Sequence, residues 1–341
     1  MSSISVSVPT FNIDSDELRN IVRFIYARRD VLKEYGAIKI RTSNDCKMAL
    51  KKRRNILSTS TSNPFVVELL NEELIYSIKT TDSTESTRRS SPLVTDEQSF
   101  WRSLSQTKNE NRRTNVSVYY DKSFFSQKMA RSYFDIHRVP NQSILKLGGR
   151  KVTSQLTSLL TRAHEPGAIF PLASARQNLF SLNYHHLGGA RHWYVIPNKE
   201  RTSLQAIVAN QKSTPCLNHS KLLIDPSVLD KHYIRYHHIV QYPKEFLVLA
   251  AGALSQSFAE DSCWNESIEF ALPSWIEEGH AIASPVSCPC DSSVEYFSQT
   301  IDPDLFRHEL VQRFIAIQLN GSNDETSTTT VQSESLFMFT R

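Results

Sequence analysis

The first forty residues carry the hydrophobic pattern of one amphipathic helix followed by one short strand. Asp14 or Ser15 is a plausible N-cap, and Gly36 is typical of the residue just beyond a helix end. Residues 37–40 then alternate between apolar and polar side chains as a strand does. The apolar side chains that recur at helical spacing between the two ends are Leu18, Ile21, Val22, Ile25 and Leu32.

Residues 168–275 have a strand-like pattern. Residues 180–187 and 193–196 flank Gly188 and Gly189, and two strands around a glycine pair predict a hairpin. Residues 246–250 and 267–272 predict two further strands. Pro226 follows Asp225, which indicates a helix start because proline is tolerated at the first helical position.

The remaining segments give weaker or more polar patterns. Residues 65–78 predict a weak helix, and the Ser/Thr-rich residues 80–92 predict an exposed linker. Residues 320–335 are rich in Ser, Thr and Glu and predict a disordered tail. A late amphipathic helix is predicted from six apolar positions, which are Leu305, Phe306, Leu310, Val311, Phe314 and Ile317.

Composition narrows the class of protein without defining its chemistry. The chain has 341 residues, of which 40% are hydrophobic, and its 17 Phe and 12 Tyr are enough for a sizeable core. No apolar run approaches the roughly 20 residues that span a bilayer, and residues 1–10 do not have the pattern of a secretory signal. Five cysteines do not suit a disulfide framework, so we expect a reducing compartment. The net charge of +4 permits an acidic partner but does not require one.

Several motifs, taken in order, resemble the JmjN–JmjC histone lysine demethylases. Residues 9–11 and 34–40 are similar to the JmjN segment, and residues 181–188 with 192–197 are similar to the signature strands of the JmjC barrel. Residues 223–229, 241–246, 265–271 and 275–279 follow in the family's order. The resemblance implies a nuclear protein whose partners are histone tails or chromatin proteins.

The resemblance also implies a fold and a division of the chain. The expected fold class is mixed α+β: a cupin-like double-stranded β-helix, or jelly-roll barrel, with an N-terminal JmjN helix and strand element and a C-terminal helix. The expected parts are a JmjN-like segment (1–45), a basic and Ser/Thr-rich region with mixed helices (46–126) and the JmjC-like barrel with a zinc site at its end (127–290). A helical segment (291–319) and a disordered tail (320–341) complete the chain.

This sequence departs from the family's pattern at the positions of the iron ligands. Family members bind Fe(II) through two histidines and a carboxylate, the arrangement that leaves three positions open for 2-oxoglutarate and oxygen. Counting in register from Asn183 and Glu266 places those three positions at Ala173, Ala175 and Ser255. Neither alanine has a donor atom, and a neutral serine hydroxyl is a poor ligand. None of the eleven histidines is followed two residues later by Asp or Glu, so no His-x-Asp/Glu motif exists in any register.

Only some residues of the 2-oxoglutarate pocket can be assigned from the sequence. The resemblance implies contacts to 2-oxoglutarate from Asn183 and from Arg191, which stands where the family has lysine, with Phe170 beside them. Arginine keeps the charge but replaces a compact ammonium with a planar fork. Asn183 and Arg191 are equally explained as ordinary strand residues, so Fe(II) and 2-oxoglutarate are both doubtful cofactors.

A structural zinc site is the second metal centre that the resemblance implies. Cys216 and His219 precede the helix at Pro226, and Cys288 and Cys290 follow the last barrel strand, as the zinc ligands do in trimethyl-lysine-type members. Three cysteines and a histidine are a complete tetrahedral zinc set. Two unrelated surface thiols on a turn are the alternative.

Three hypotheses about function remain open from the sequence. The first is a catalytically inactive JmjC protein that binds histones or partner proteins. The second is an active Fe(II)/2-oxoglutarate demethylase with atypical ligands recruited from Glu260, Asp261 or His185. The third is a nucleic-acid-binding module that uses the basic residues Lys51–Arg54, which are equally explained as a solvated face or an import signal.

Overall fold

The computed structural model describes residues 7–51, 63–70, 74–80, 94, 96–106, 112–120, 122–209, 217, 222–282 and 300–320. The described strands form one continuous hydrogen-bonded sheet, in which all neighbouring strands are antiparallel except β1 and β2. In chain order the strands are β1 (Thr10–Ile13), β2 (Ala37–Thr42), β3 (Asn63–Leu69), β4 (Ile75–Thr80), β5 (Arg112–Tyr119), β6 (Leu159–Ala163), β7 (Ile169–Ala173), β8 (Phe180–Gly188), β9 (Arg191–Ile196), β10 (Leu222–Ile224), β11 (His237–Gln241), β12 (Glu245–Leu249), β13 (Leu254–Ala259) and β14 (Cys263–Phe270).

The helices are short and lie at the two ends of the chain and between strands. In chain order they are α1 (Ser15–Arg19), α2 (Ile21–Tyr26), α3 (Arg29–Tyr35), α4 (Glu97–Gln106), α5 (Val139–Gln142), α6 (Gly149–Thr153), α7 (Arg201–Ala209), α8 (Pro226–Lys231), α9 (Ser274–Glu277) and α10 (His308–Phe314). One π-helical turn, Ile315–Leu319, extends α10. No helix in the described ranges is both long enough and apolar enough to cross a membrane.

Two facing sheets enclose the centre of the molecule. The first contains the strand order β2–β12–β8–β14–β6, and the second contains β7–β13–β9–β11. This is the mixed α+β, jelly-roll arrangement that the family resemblance implies. The core between the sheets and beneath α1–α3 includes Leu182, Trp193 and Phe246.

The N-terminal element is helical where the sequence predicts it, but it consists of three short helices and not of one. Asp14 is the N-cap, and Glu17 completes a capping box with it. Asn20 then interrupts the helix, ending α1 and capping α2 through its side chain, which accepts from the backbone N–H of Arg23. Gly36, with φ of +72°, ends α3, and β2 then joins the barrel by pairing with β12. The five apolar residues predicted to face the core are all buried.

The predicted hairpin at Gly188 is wrong. β8 pairs with β12 and β14, whereas β9 pairs with β11 and β13, so residues 188–190 form a corner that passes from one sheet to the other. Gly188 has φ of +106°, and a Cβ there would collide with the carbonyl oxygen of Ser262. A glycine pair satisfies the backbone of a tight corner as well as that of a hairpin, so its local chemistry does not identify the strand partners.

Two predicted helices also differ from the structure. Residues 65–78 contain strands β3 and β4, which pair antiparallel, because a short apolar run does not distinguish a helix from a strand. In the late helix, α10 begins only at His308, and Leu305, Leu310 and Ile317 are exposed. The predicted linker at 80–92 falls outside the described residues from 81 onward, and so does the predicted tail from 321.

Candidate functional site

The barrel interior is lined by alternate residues of the strands that face it. On β8, Asn183 and His185 lie on this inner face, while His186 points to the opposite side and contacts Glu266 at 3.0 Å. Gln241 of β11 crosses the interior, where its Nε2 donates to the carbonyl of Asn183 at 3.1 Å and its Oε1 accepts from Trp193 Nε1 at 2.9 Å. The adjacent histidines 185 and 186 therefore face opposite ways, as successive residues of a strand do.

Two of the three predicted iron positions are direct neighbours. Ala173 at the end of β7 is the Cα partner of Ser255 on β13, and the ladder shifts register between Ser255 and Ser257. Paired residues place their side chains on the same face, about 5 Å apart at Cβ. Ala175 lies two residues beyond Ala173, before the turn Arg176–Asn178. All three residues are partly exposed, which places them at the open end of the barrel.

These three residues do not fit an Fe(II) ion. The two alanines supply no nitrogen or oxygen from their side chains, and Ser255 supplies one neutral hydroxyl. Fe(II) of the facial type needs two imidazoles and a carboxylate. Across the described residues, no group of three or more His, Cys, Asp or Glu side chains is placed to hold a metal ion.

An ion pair that the sequence patterns did not reveal lies beside Ala175. The backbone N–H of Arg176 donates to Glu269 Oε1 at 2.8 Å, and Arg176 Nε lies 3.4 Å from Glu269 Oε2. The carboxylate belongs to β14, where Glu269 is the Cα partner of Ser181 on β8. Burial raises the pKa of Glu269, and Arg176 opposes that change. The only sequence signal was Glu269 three residues after Glu266, which is too weak to identify a site.

Arg191 is the charged group at the deep end of the interior. Its guanidinium carbon lies 3.6 Å from the Phe170 ring centroid and 3.9 Å from that of Trp193. Its Nε donates to Ser257 Oγ at 2.9 Å, and no carboxylate of the described residues pairs with it. Burial lowers the pKa of Arg191 to about 9. A guanidinium is flat enough to stack on these rings, which a lysine ammonium is not.

The predicted 2-oxoglutarate residues are brought together only in part. Arg191 and Phe170 are in contact, as the resemblance implies. Asn183 instead uses its amide within its own sheet, donating to Ser181 Oγ at 3.2 Å and to the carbonyl of Leu247 at 3.4 Å. Arg191 therefore remains available to a carboxylate, whereas the amide N–H groups of Asn183 are engaged.

Comparison with known proteins agrees with this geometry. Residues 163–270, which include β7 to β14 and every residue of the interior described above, match the model of the family described as "JmjC domain, hydroxylase". Residues 163–270 of this chain are therefore similar to a JmjC domain. The match begins at the end of β6 and ends at Phe270, so the similarity covers the strands that line the barrel interior.

Three individual proteins that this chain resembles are named as lysine-specific demethylases. It is 30% identical over 138 residues to the human protein called probable lysine-specific demethylase 4F, and 30% identical over 145 residues to rat lysine-specific demethylase 4D. Mouse lysine-specific demethylase 4B is 28% identical over 138 residues. The aligned regions cover 38%, 40% and 38% of this chain, and 22%, 28% and 13% of the three relatives respectively.

The atypical iron ligands considered for this barrel are not brought together into a group of three or more metal-binding side chains within the described residues. Glu260 follows β13 and bonds His192 at 2.7 Å, on the face of the sheet opposite to Arg191. His185 faces inward, but its Nδ1 donates to the carbonyl of Gln241 at 3.2 Å. Asp261 is exposed in the turn between β13 and β14.

The predicted zinc ligands lie outside the described residues. Cys216, His219, Cys288 and Cys290 are all in that category, so the zinc site stays a prediction. Cys46 and Cys263, which had no predicted partners, are free thiols, and burial raises the pKa of Cys263 to about 11. Of the basic residues Lys51–Arg54, only Lys51 is described, and it is exposed.

Proposed function

We propose that this chain is a nuclear, chromatin-associated JmjC protein that binds a histone tail or a chromatin protein and does not oxidise it. The pairing of Ala173 with Ser255 carries the proposal, because the position that should hold iron has no metal-binding donor beyond one hydroxyl. The absence of any His-x-Asp/Glu motif supports it independently of register. The relatives named as lysine-specific demethylases support a methylated histone tail as the partner class.

The interior supports a binding role better than a catalytic one. Oxidative demethylation needs iron to hold 2-oxoglutarate and oxygen together, and Fe(II) supplies that chemistry in the family. Arg191 and Phe170 are the residues that would hold one carboxylate of 2-oxoglutarate, with Asn183 nearby. The ion pair between Arg176 and Glu269 is next in sequence to Ala175, so a charged pair lies beside the predicted iron positions.

Restoring the triad tests the proposal directly. The variant Ala173→His, Ala175→Glu, Ser255→His rebuilds the two-histidine, one-carboxylate set on paired strands. We expect it to bind about one Fe(II) per chain while the unchanged protein binds none, as measured by metal analysis after anaerobic loading. The matched control is Ala173→Gln, Ala175→Gln, Ser255→Asn, which alters the same positions without adding imidazole or carboxylate.

Two outcomes contradict the proposal. If the unchanged protein takes up Fe(II) in equal amount and releases succinate from 2-oxoglutarate, the chain is an enzyme with ligands other than those at the family positions. If neither the unchanged protein nor the restored variant binds a histone peptide panel at concentrations up to about 1 mM, the chain is not a histone-tail binder.

We propose a structural zinc ion on Cys216, His219, Cys288 and Cys290, because the four ligand types occur in the family's order. Purified protein should contain about one zinc, and the variant Cys288→Ser, Cys290→Ser should contain none while Cys46→Ser retains it. Zinc that persists in the double variant would exclude this ligand set.

We keep nucleic-acid contact through Lys51–Arg54 as the weaker alternative partner. Neutralising these residues should reduce the slope of log binding constant against log salt if they contact phosphates. An unchanged slope, measured with double-stranded DNA, would remove this partner from consideration.

A further inference from the structure

Residues 46–51 lie beside a loop that is formed by residues 126–134. Ala49 holds both ends of this loop, because its N–H donates to the carbonyl of Phe134 at 2.8 Å and its carbonyl accepts from the N–H of Ser126 at 2.6 Å. The loop therefore leaves and returns to a single residue, as a compact Ω-type surface loop does.

Every Lys, Arg, Asp or Glu in these two stretches of the chain is a cation, and all of them are exposed. They are Lys47, Lys51, Lys128 and Arg131. None of the four pairs with a carboxylate of the described residues. The flanking carboxylates are engaged elsewhere, since Asp135 is buried 2.6 Å from His137 Nδ1 and Asp45 accepts from the Ser43 hydroxyl. We call these four cations the basic surface.

The four cations lie on one patch although they come from segments about 80 residues apart in the chain. Lys47 and Lys51 are each two residues from Ala49. Lys128 is two residues from Ser126, and Arg131 is three residues from the loop's other bond to Ala49. Three residues span at most about 11 Å, so no cation is far from this common point.

Arg138 holds the backbone of the loop in place. Its Nη1 donates to the carbonyls of Arg131 at 3.1 Å and Tyr133 at 3.2 Å, and its Nη2 donates to the carbonyl of Met129 at 3.3 Å. One guanidinium thus gathers three carbonyls of a loop that carries the exposed side chain of Lys128. A loop that is ordered before it binds loses less conformational entropy when it does.

We propose that the basic surface binds the phosphate backbone of double-stranded DNA without reading its sequence. Four cations without carboxylate partners match a duplex, which carries one negative charge for about every 1.7 Å of its axis. Sites for single strands instead stack bases on exposed aromatic rings. The tyrosine of this loop, Tyr133, is half-buried, and Lys47 Nζ lies 5.9 Å from its ring centroid.

This surface is independent of the proposed histone binding, and it goes beyond the contact considered for Lys51–Arg54. It adds Lys47, Lys128 and Arg131, which the sequence does not connect with that basic run. A chain with both properties would hold a histone tail in its barrel and DNA at this loop.

The salt dependence of binding to a short DNA duplex of random sequence tests the proposal. The measured quantity is the slope of the logarithm of the binding constant against the logarithm of the salt concentration. The variant Lys128→Gln, Arg131→Gln should make this slope shallower by about 1.8, because each lost phosphate contact removes about 0.9. Lys51–Arg54 is intact in this variant, so the outcome is separate from the test of that run.

The matched control is Arg102→Gln, Arg313→Gln, which removes two exposed cations from α4 and α10. It lowers the net charge by the same amount, and its slope should equal that of the unchanged protein. The proposal is overturned if the loop variant keeps the full slope, or if the control loses as much, since net charge alone would then explain the binding.

Three results with the unchanged protein would also overturn the proposal. The first is a failure to bind the duplex at about 0.1 mM protein in low salt, which is the weak end of non-specific DNA binding. The second is tighter binding to a single strand of the same length. The third is equally tight binding to polyglutamate, which would indicate an acidic protein as the partner.

Discussion

Acid should destabilise this protein partly through one buried histidine, His185. Its ring is fully buried on the inner face of β8, and burial lowers its pKa from 6.5 to about 4, with Arg191 acting in the same direction. Its hydrogen bond to the carbonyl of Gln241 opposes the change without offsetting it. At neutral pH the ring is therefore uncharged in both the folded and the unfolded chain.

The pH dependence follows from that difference in pKa. As the pH falls below 6.5, the unfolded chain binds a proton at His185 that the folded chain does not bind, so the free energy of unfolding decreases. The loss continues until the pH reaches the folded pKa of about 4. At about 1.4 kcal/mol for each pKa unit, His185 should cost about 2.5 kcal/mol between pH 7 and pH 4.5.

The variant His185→Asn isolates this contribution. Asparagine keeps a donor near the place of Nδ1 but does not ionise, so its urea-unfolding free energy should fall by about 2.5 kcal/mol less than that of the unchanged protein over the same pH range. The carboxylates titrate in both proteins, so their contributions to the pH dependence cancel in the comparison. His308→Asn is the exposed control. Parallel profiles for His185→Asn and the unchanged protein would refute the reasoning.

Three further substitutions test the packing of the barrel. Glu266→Gln should lower the free energy of unfolding, measured with urea, by about 3–5 kcal/mol. The reason is that the buried carboxylate pairs with His186 and accepts from the Phe124 backbone N–H at 3.0 Å. A loss below about 1 kcal/mol would contradict this role of Glu266. Arg191→Lys should lower stability by about 2 kcal/mol, the size of a desolvated cation–π contact, and an unchanged melting temperature would argue against the stacking. Gly188→Ala should cost at least about 1–3 kcal/mol, from its backbone conformation alone, whereas a neutral effect would mean that the corner relaxes freely.

The strands of the barrel could be predicted because each carries its own signal. β8, β9, β12 and β14 are short runs rich in apolar and aromatic residues, a pattern typical of buried strands, and the structure confirms all four. Their partners depend on residues far away in sequence, which is why the glycine pair at 188 and 189 was assigned to a hairpin and not to a corner. The JmjN-like boundary at 45 and the other proposed domain limits stay predictions.

The residues of the candidate site also differ in whether the sequence could locate them. Ala173 and Ser255 were located by counting from neighbouring motifs, and the two residues are Cα partners across β7 and β13. Their assignment as the family's iron positions stays a prediction. The ion pair of Arg176 with Glu269 could not be predicted, because it joins a turn to a strand 93 residues away. The contacts that link Glu97, His238, His192 and Glu260 join four separate segments, and no spacing in the sequence relates these residues.

Iron-dependent turnover of 2-oxoglutarate is the measurement that tests the central claim most directly. Purified protein, loaded anaerobically with Fe(II) and given oxygen, 2-oxoglutarate and a trimethyl-lysine histone peptide, should release no succinate above the level of a protein-free control. It should also retain no iron after desalting. Stoichiometric iron together with peptide-dependent succinate release would contradict the account and establish a working metal site elsewhere in the barrel.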